Sequence, residues 1–242
     1  MALLNAMERL RLDDRADHGD QPKQFILGLD YGTTYSAGAF CLRTKSTIHL
    51  ISGEIKAFKG YHLGRNNSKS KSTEIPSDIR YGTDGIKIGY DAIQTGPSPN
   101  PVHRVRRAKL GLDERPSTDL ARRDLHDDLS ALSPTKKPEE VIADYLTEIF
   151  TIFLERLQNF GYQSGDSIEL NCAIPSVWNH KARRTMVNAM EVAGRRSGLA
   201  FDPVVKLWPE AEAATEYVLN KQENLSLRVS RPTSPPSNFQ DH

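Results

Sequence analysis

A carboxylate, a glycine and two hydroxyl side chains lie close together in the segment Gly28-Leu29-Asp30-Tyr31-Gly32-Thr33-Thr34-Tyr35. Gly32 lets the backbone approach an anion closely, and successive amides of a tight turn can point into one concavity. Thr33 and Thr34 add donors for phosphate oxygens. Asp30 would face a magnesium ion through water, since Mg²⁺ keeps part of its hydration shell. The segment predicts a site for phosphate and magnesium, and a hairpin that carries an aspartate by chance is the alternative interpretation.

The residues on either side of the Gly32 turn predict a strand, a turn and a second strand. Apolar runs cover Phe25–Asp30 and Tyr35–Leu42, on either side of the turn. Thr47–Ser52 is predicted to be a third strand. Gly60–Thr73 has no apolar period and is rich in Lys, Asn and Ser, which predicts a solvated loop. Phosphate binding by the lysines of that loop is the alternative.

Further along the chain, a hairpin and a long helix are predicted. Ile79–Tyr81 and Ile86–Ile88 flank Asp84-Gly85, which is a typical hairpin turn. The three prolines between residues 97 and 101 forbid regular structure, and the stretch that follows gives no clear pattern. Pro138–Phe160 carries apolar residues at spacings of three and four, which predicts a helix that stops at Gly161.

Strands and helices alternate in the last part of the chain. Ile168–Ile174 is predicted to be a buried strand, and Asn179 is a plausible N-cap for a helix that reaches Gly198. Val204–Leu207 is predicted to be a short strand and Pro209–Leu219 an Ala-rich helix. This alternation predicts an α/β sheet with helices on its faces.

Composition and charge exclude several classes of partner. The 242 residues contain 32 Lys and Arg against 31 Asp and Glu, so no general field attracts nucleic acid or anionic lipid. No apolar run approaches the roughly 18 residues of a membrane span. We therefore expect no nucleic acid and no membrane as partners, and a cytoplasmic or nuclear location. Cys41 and Cys172 each lie in an apolar run, which predicts buried, reduced thiols.

Several segments resemble a known superfamily. The corner Asp30–Tyr35 resembles the first phosphate loop of the actin, heat shock protein 70 and sugar kinase superfamily. Glu74-Ile75-Pro76-Ser77, the following hairpin and Ile88-Gly89-Tyr90-Asp91-Ala92 are similar to the heat shock protein 70 stretch in which an outer strand pair precedes a short helix. Ala108-Lys109-Leu110 falls where that family carries its catalytic lysine. The order of these segments favours the chaperone branch.

Two later segments also resemble this family. Ala173–Asn179, followed by Arg183, is similar to the chaperone segment Val-Pro-Ala-Tyr-Phe-Asn with an arginine eight residues after the proline. In the chaperones this proline and arginine help relay nucleotide state, so Pro175 and Arg183 are candidates for an interdomain switch. A proline that ends a strand and an exposed helix arginine are the alternative. Pro209–Ala214 resembles the Glu-Pro-Xaa-Ala-Ala-Ala signature.

The resemblance implies a fold and a domain arrangement. We expect an α/β fold of the actin-like ATPase (ribonuclease H-like) type, one incomplete lobe with a mixed sheet of the five-stranded type and flanking helices. The lobe would span residues 23–220, with an inserted subdomain at about 54–135. The charged residues 1–22 predict a flexible arm, and residues 221–242 predict a disordered tail.

The resemblance also implies ligands and residue roles. ATP or ADP with Mg²⁺ would bind through Gly32-Thr33-Thr34-Tyr35. Lys109 would hold phosphate charge or orient the attacking water. Asp30 would contribute to catalysis by contacting the metal through water.

Two departures from the family pattern predict weak catalysis. Trp208 stands where the family carries a glutamate near the metal and the attacking water, and Trp cannot accept a proton. Glu210 lies two residues further on and, within a helix, is expected to point elsewhere unless a local shift brings it in. The sequence contains neither an Asp-Xaa-Gly-Gly-Gly-Thr second phosphate loop nor a Gly-Gly adenosine loop. We therefore expect an incomplete domain with little or no hydrolysis, since phosphoryl transfer needs charge stabilisation from several sides.

The leading interpretation is a heat shock protein 70-like nucleotide-binding domain fragment, related to chaperones. Its partners would be nucleotide and, through a missing C-terminal part, co-chaperones or unfolded peptide. The alternative is a non-catalytic interaction module or truncated remnant, and a sugar kinase-like protein is a third interpretation. An incomplete lobe would expose strand edges and apolar faces, so we expect marginal stability and self-association.

Overall fold

Nine strands and four complete helices form in the parts of the chain that the structure, a computed structural model, describes: residues 22–43, 55–58, 73–94, 102–201 and 205–215. The strands are β1 (Gln24–Tyr31), β2 (Tyr35–Arg43), β3 (Lys56–Ala57), β4 (Glu74–Pro76), β5 (Asp78–Gly82), β6 (Gly85–Ile88), β7 (His103–Arg106), β8 (Ser167–Ile174) and β9 (Lys206–Pro209). The helices are α1 (Gly89–Ile93), α2 (Asp119–Ser130), α3 (Pro138–Asn159) and α4 (His180–Ser197). Residues 210–215 begin a further helix.

The main sheet is mixed and has six strands, in the order β3-β2-β1-β8-β9 with β4 also beside β2. β1 pairs antiparallel with β2 and parallel with β8, and β8 pairs parallel with β9. β3 pairs with Ala39–Phe40 and β4 with Tyr35–Ala37. Because these two short strands occupy successive lengths of one edge of β2, six strands appear where a sheet of the five-stranded type was expected.

One face of the main sheet is packed and the other is open. Along β1, Phe25, Leu27, Leu29 and Tyr31 are buried, whereas the residues between them are partly or fully exposed. Alternate side chains of a strand point to opposite faces of the sheet. Asp30 therefore lies on the open face, at the end of β1.

Helix α3 packs against the buried face of the sheet. The ring centroids of Tyr31 and Tyr145 lie 5.6 Å apart. Phe153 lies directly over Gly38 of β2, because a Cβ on Gly38 would come within 2.3 Å of the Phe153 ring. Helix α4 packs in turn against α3. The two long helices thus lie on one side of the sheet, so the predicted packing of helices on its faces is confirmed for that face.

The ends of these helices carry the predicted capping residues. The side chain of Asn179 accepts a hydrogen bond of 2.9 Å from the amide of Ala182, which makes it the N-cap of α4. Gly198 ends α4 in the left-handed conformation with φ 78°, and Gly161 follows α3 with φ 83°. Pro138 is the first residue of α3. The predicted boundaries of both helices are therefore confirmed.

A second, three-stranded antiparallel sheet of order β6-β5-β7 lies within the range predicted for an inserted subdomain. A buried carboxylate of α3 joins this sheet to the helices. Asp144 accepts a hydrogen bond of 2.9 Å from the Tyr81 hydroxyl. It also forms ion pairs with Lys136 at 2.9 Å and Arg196 at 2.8 Å. One side chain thus holds β5, the start of α3 and the end of α4 together.

The bounds of β9 differ from the predicted ones, and the strand His103–Arg106 and the helix Asp119–Ser130 were not predicted. β9 runs over Lys206–Pro209, two residues later than predicted, and the following helix begins at Glu210. Pro209 still pairs with Ile174 in the ladder with β8. A proline nitrogen has no hydrogen to donate to a neighbouring strand. Proline is tolerated at this position because β9 is the outer strand of the described sheet.

Some expectations fall outside the described residues. These are the arm at 1–22 except its last residue, the strand Thr47–Ser52, the loop Gly60–Thr73 except its last residue, the helix end at 216–219 and the tail at 221–242. Cys41 and Cys172 are both buried, and they do not form a disulfide with each other, as predicted. None of the described helices is long and apolar enough to cross a membrane.

Candidate functional site

The corner between β1 and β2 is a tight turn built around Gly32. The Gly32 amide donates a hydrogen bond of 3.0 Å to the carbonyl of Tyr35. A Cβ on Gly32 would lie 2.2 Å from that same oxygen, so only glycine fits. The carbonyl of Thr34 accepts a hydrogen bond of 2.8 Å from the amide of Ser77. The amides of Thr33 and Thr34 donate to no other described residue, which leaves both able to bind an anion.

Asp30 belongs to a group of interacting charges at the carboxyl end of β1. Its residue is exposed, but nearby protein atoms desolvate the carboxyl group and raise its pKa above the usual value. The Lys109 ammonium lowers this pKa, whereas the carboxylates of Glu210 and Glu74 raise it. The structure thus brings Asp30 and Lys109, both predicted as site residues, into electrostatic contact.

Lys109 and Glu210 form a hydrogen-bonded ion pair. Lys109 is only 4% exposed, and its Nζ donates a bond of 3.0 Å to Oε1 of the half-exposed Glu210. The 3₁₀ turn Ala108–Leu112 carries Lys109, and Arg107 opens that turn in the left-handed conformation. The local shift that the sequence allowed for Glu210 is present, because β9 continues through Pro209 and places Glu210 directly at the strand end.

The two expected switch residues lie next to the ring that Lys109 contacts. The carbonyl of Pro175 accepts a hydrogen bond of 3.2 Å from the amide of Trp178. Arg183 donates to the Trp178 carbonyl at 3.1 Å and to the Ser176 carbonyl at 3.4 Å. The buried Trp178 ring lies 5.6 Å from Lys109 Nζ, within cation–π range. Pro175 and Arg183 therefore bond to the backbone of Trp178, whose ring contacts Lys109. The sequence did not single out Trp178.

A separate pocket adjoins the corner and is lined by arginines. Thr33–Tyr35 form one wall of this pocket, which has a volume of about 250 Å³. Arg104, Arg106 and Arg107 line it too, together with Asp78. Arg104 donates hydrogen bonds to Asp78, with an Nε to Oδ1 distance of 2.9 Å. Within the described residues, neither Arg106 nor Arg107 forms an ion pair.

Sequence reasoning missed this pocket, although a signal for it was present. In His103–Arg106, arginine occurs at every second position. In a strand this spacing places Arg104 and Arg106 on one face. The prolines just before this stretch hid the strand, because they gave it no clear outline.

Trp208 lies on the open face of the main sheet. Its residue pairs with Ala173 in the β8–β9 ladder, and its Nε1 donates a hydrogen bond of 2.8 Å to Oδ1 of Asn171. The ring is 47% exposed. It borders a pocket of about 560 Å³ whose other walls include Gly28, Asp30 and Ala37. Trp208 is therefore part of a mainly apolar surface.

The charges near Asp30 fit a hydrated cation. Among the described residues, no group of three or more His, Cys, Asp or Glu side chains is placed to hold a metal ion directly. Magnesium, however, usually keeps several waters and binds through only one or two carboxylates. Among the described residues, the carboxylates of Glu210 and Glu74 raise the pKa of Asp30, and the ammonium of Lys109 lowers it. This excess of negative charge fits Mg²⁺ held through water.

No protein-family model and no curated protein matches the chain. The site thus combines carboxylates near the end of β1 with arginines that line the pocket beside Thr33–Tyr35.

Proposed function

We propose that the chain is the first lobe of a heat shock protein 70-like, actin-like ATPase domain, and that it binds ATP or ADP with Mg²⁺ at the corner between β1 and β2. The sheet topology supports this proposal. β1, β8 and β9 are parallel, and their carboxyl ends meet at one edge. Ligands of open α/β sheets bind outside the carboxyl ends of the strands. Asp30, at the end of β1, lies at this edge.

The observation that carries the proposal is the contact between Lys109 and Glu210. Both residues belong to segments that resemble the chaperone family, and they lie 101 positions apart in the sequence. Their hydrogen bond of 3.0 Å and the charge interaction of both with Asp30 assemble a carboxylate, an ammonium and a second carboxylate beside the corner. An unrelated hairpin would have no reason to collect these three groups.

Each residue of the site has a role that its position allows. The amides and hydroxyls of Thr33 and Thr34 would bind phosphate oxygens, since they donate to no other described residue. Asp30 would hold Mg²⁺ through water. The ion, when bound, supplies positive charge that offsets the charge of the phosphates. The Lys109 ammonium would contact phosphate only if it bonds to Glu210 and phosphate together, or if it leaves Glu210.

Hydrolysis is proposed to be slow. The Glu210 carboxylate accepts a hydrogen bond from the Lys109 ammonium, so it is not poised to take a proton from water. Trp208 stands where the chaperone segment that it resembles carries a glutamate, and an indole cannot accept a proton from the attacking water. Nucleotide binding with little turnover is therefore the activity proposed.

Isothermal titration with Mg-ATP tests the proposal. Asp30→Asn and Thr33→Ala should each weaken binding by about tenfold, since each removes a charge-assisted contact. Asp124→Asn and Thr135→Ala are matched controls on exposed residues away from the corner, and they should bind as the wild type does. Binding that neither Asp30→Asn nor Thr33→Ala affects would contradict the site.

A non-catalytic interaction module is the second candidate, and the exposed Trp208 favours it. An indole that is 47% exposed beside a mainly apolar pocket is a common feature of protein-binding surfaces. In this alternative the open face of the sheet binds a co-chaperone without nucleotide, and in isolation it associates with a second copy of the chain. Sedimentation and thermal unfolding over a dilution series test this association. A monomer whose melting temperature does not change with concentration would exclude it.

A further inference from the structure

We infer that Arg106 and Arg107, with the hydroxyls of Thr33 and Thr34, form a binding site for a phosphoryl group that carries two negative charges. The family resemblance assigns no role to either arginine. The inference deepens the proposed function and rests on it for the identity of the ligand as a nucleotide. The anion site itself depends only on the pocket and its charges.

The pocket has an excess of positive charge. It is lined by three arginines and by one acidic residue, Asp78. Arg104 takes up that carboxylate through an Nη2 to Oδ1 contact of 2.8 Å. The guanidinium groups of Arg106 and Arg107 have no ion pair among the described residues. Two positive charges are thus left for a ligand.

The strand geometry of β7 places Arg104 and Arg106 on one face of the small sheet. Val105 is fully buried, which sends its neighbours Arg104 and Arg106 to the opposite face of the small sheet. In the register of β5 and β7, Asp78 lies directly opposite Arg106, but its carboxylate bonds to Arg104. Asp78 therefore fixes one arginine as part of the wall and leaves the other available.

The backbone of Arg107 is unusual in a way that fits a ligand site. Within the described residues, Arg107 is the only non-glycine residue with positive φ, at 57°. This conformation is unfavourable for a residue with a Cβ, and glycine would adopt it at lower cost. Strained residues of this kind concentrate at binding sites. Arg107 is one of the residues that line the pocket, so anion binding gives a reason for arginine at this position.

The arginines also supply charge that Lys109 cannot. Lys109 is buried and hydrogen-bonded to Glu210, so much of its positive charge is already neutralised. A phosphate tail at the corner would otherwise meet the carboxylates of Asp30 and Glu210. Arginine suits this task, because its planar guanidinium binds two phosphate oxygens at once. The corner therefore has an arginine side for phosphate and a carboxylate side for the metal.

Titration calorimetry with two probes tests this inference: sodium tripolyphosphate without magnesium, and Mg-ATP. Tripolyphosphate should bind to the wild type, and Arg106→Gln or Arg107→Gln should each weaken its binding by about tenfold. Arg123→Gln is the matched control, because it removes the same charge from an exposed position of α2 outside the pocket. Arg107→Gly should weaken tripolyphosphate binding without lowering the melting temperature, since glycine adopts the same positive φ at lower cost.

The outcomes separate this inference from the proposed function. Tripolyphosphate binding that depends on both arginines, with no binding of Mg-ATP, would support the anion site and contradict the nucleotide. Mg-ATP binding that Arg106→Gln and Arg107→Gln leave unchanged would overturn the anion site and leave the nucleotide proposal standing. Equal loss in Arg123→Gln would also overturn it, because the effect would then be one of general charge.

Discussion

The ammonium of Lys109 donates a hydrogen bond of 3.0 Å to the carboxylate of Glu210, at the edge where β1, β8 and β9 end. One partner is buried and the other is half-exposed, so the pair is screened by solvent from one side only. Such a pair lies between an exposed ion pair, which contributes little, and a buried one, which is costly to break.

A double-mutant cycle measures the strength of this pair. Lys109→Met, Glu210→Gln and the double variant should give a coupling energy of about 1 kcal/mol, since half-exposure reduces but does not remove the attraction. Lys181 and Glu114 are a control pair of the same residue types at 2.7 Å, with both side chains exposed. Denaturant unfolding should show a smaller coupling for the control. Equal couplings would mean that burial adds nothing to the Lys109–Glu210 contact.

Asp30→Asn should stabilise the fold at neutral pH. Burial of the carboxyl group raises the pKa of Asp30, so the folded protein holds that proton more tightly than the unfolded chain. The resulting stability is present at low pH and is lost as pH rises through the raised pKa. Asparagine carries no charge and avoids this loss. Thermal unfolding should therefore show a higher melting temperature for Asp30→Asn at pH 7.5, with a smaller advantage at pH 4.5. A lower melting temperature at pH 7.5 would show that attraction to Lys109 outweighs desolvation.

Gly38→Ala should destabilise the packing of α3 on the sheet. The new methyl group would lie 2.3 Å from the Phe153 ring, so the helix or the strand must shift. Overpacking of this kind costs about 1–3 kcal/mol. Gly28→Ala is the control on the neighbouring strand, because its Cβ would make only an ordinary contact at 3.7 Å. Chemical denaturation should separate the two variants, and equal stabilities would contradict the packing described here.

Asp144→Asn should loosen the attachment of the small sheet. The substitution removes the charge that holds Lys136 and Arg196 and weakens the bond from the Tyr81 hydroxyl. The expected loss is about 1–3 kcal/mol, because Asp144 is buried but its cationic partners can rehydrate. Asp124→Asn on the exposed side of α2 should leave the free energy of unfolding unchanged. A stable Asp144→Asn variant would show that the apolar contacts alone attach the sheet.

The elements with strong periodicity were predictable from the sequence. α3 has apolar residues at spacings of three and four over 22 residues, and α4 has Asn179 and Gly198 at its ends. The Gly32 corner was predictable because its residue types are specific to a turn. In these segments local chemistry and tertiary structure favour the same conformation.

The contacts that complete the site were not predictable in this way. Glu210 reaches Lys109 only because β9 extends to Pro209, and that end point depends on pairing with β8 rather than on local propensity. The ring of Trp178, whose carbonyl accepts a hydrogen bond from Arg183, lies beside Lys109 of a distant segment. Both contacts join residues whose positions depend on several elements at once, which a linear pattern does not encode.

Hydrogen exchange with and without Mg-ATP tests the central claim, that the Gly32 corner binds a nucleotide phosphate. The amides of Thr33 and Thr34 donate to no described residue, so they should exchange quickly in the free protein and slow markedly when Mg-ATP is added. The amide of Gly32 already bonds to Tyr35 and should change less. Unchanged exchange at Thr33 and Thr34 under saturating Mg-ATP would contradict the claim.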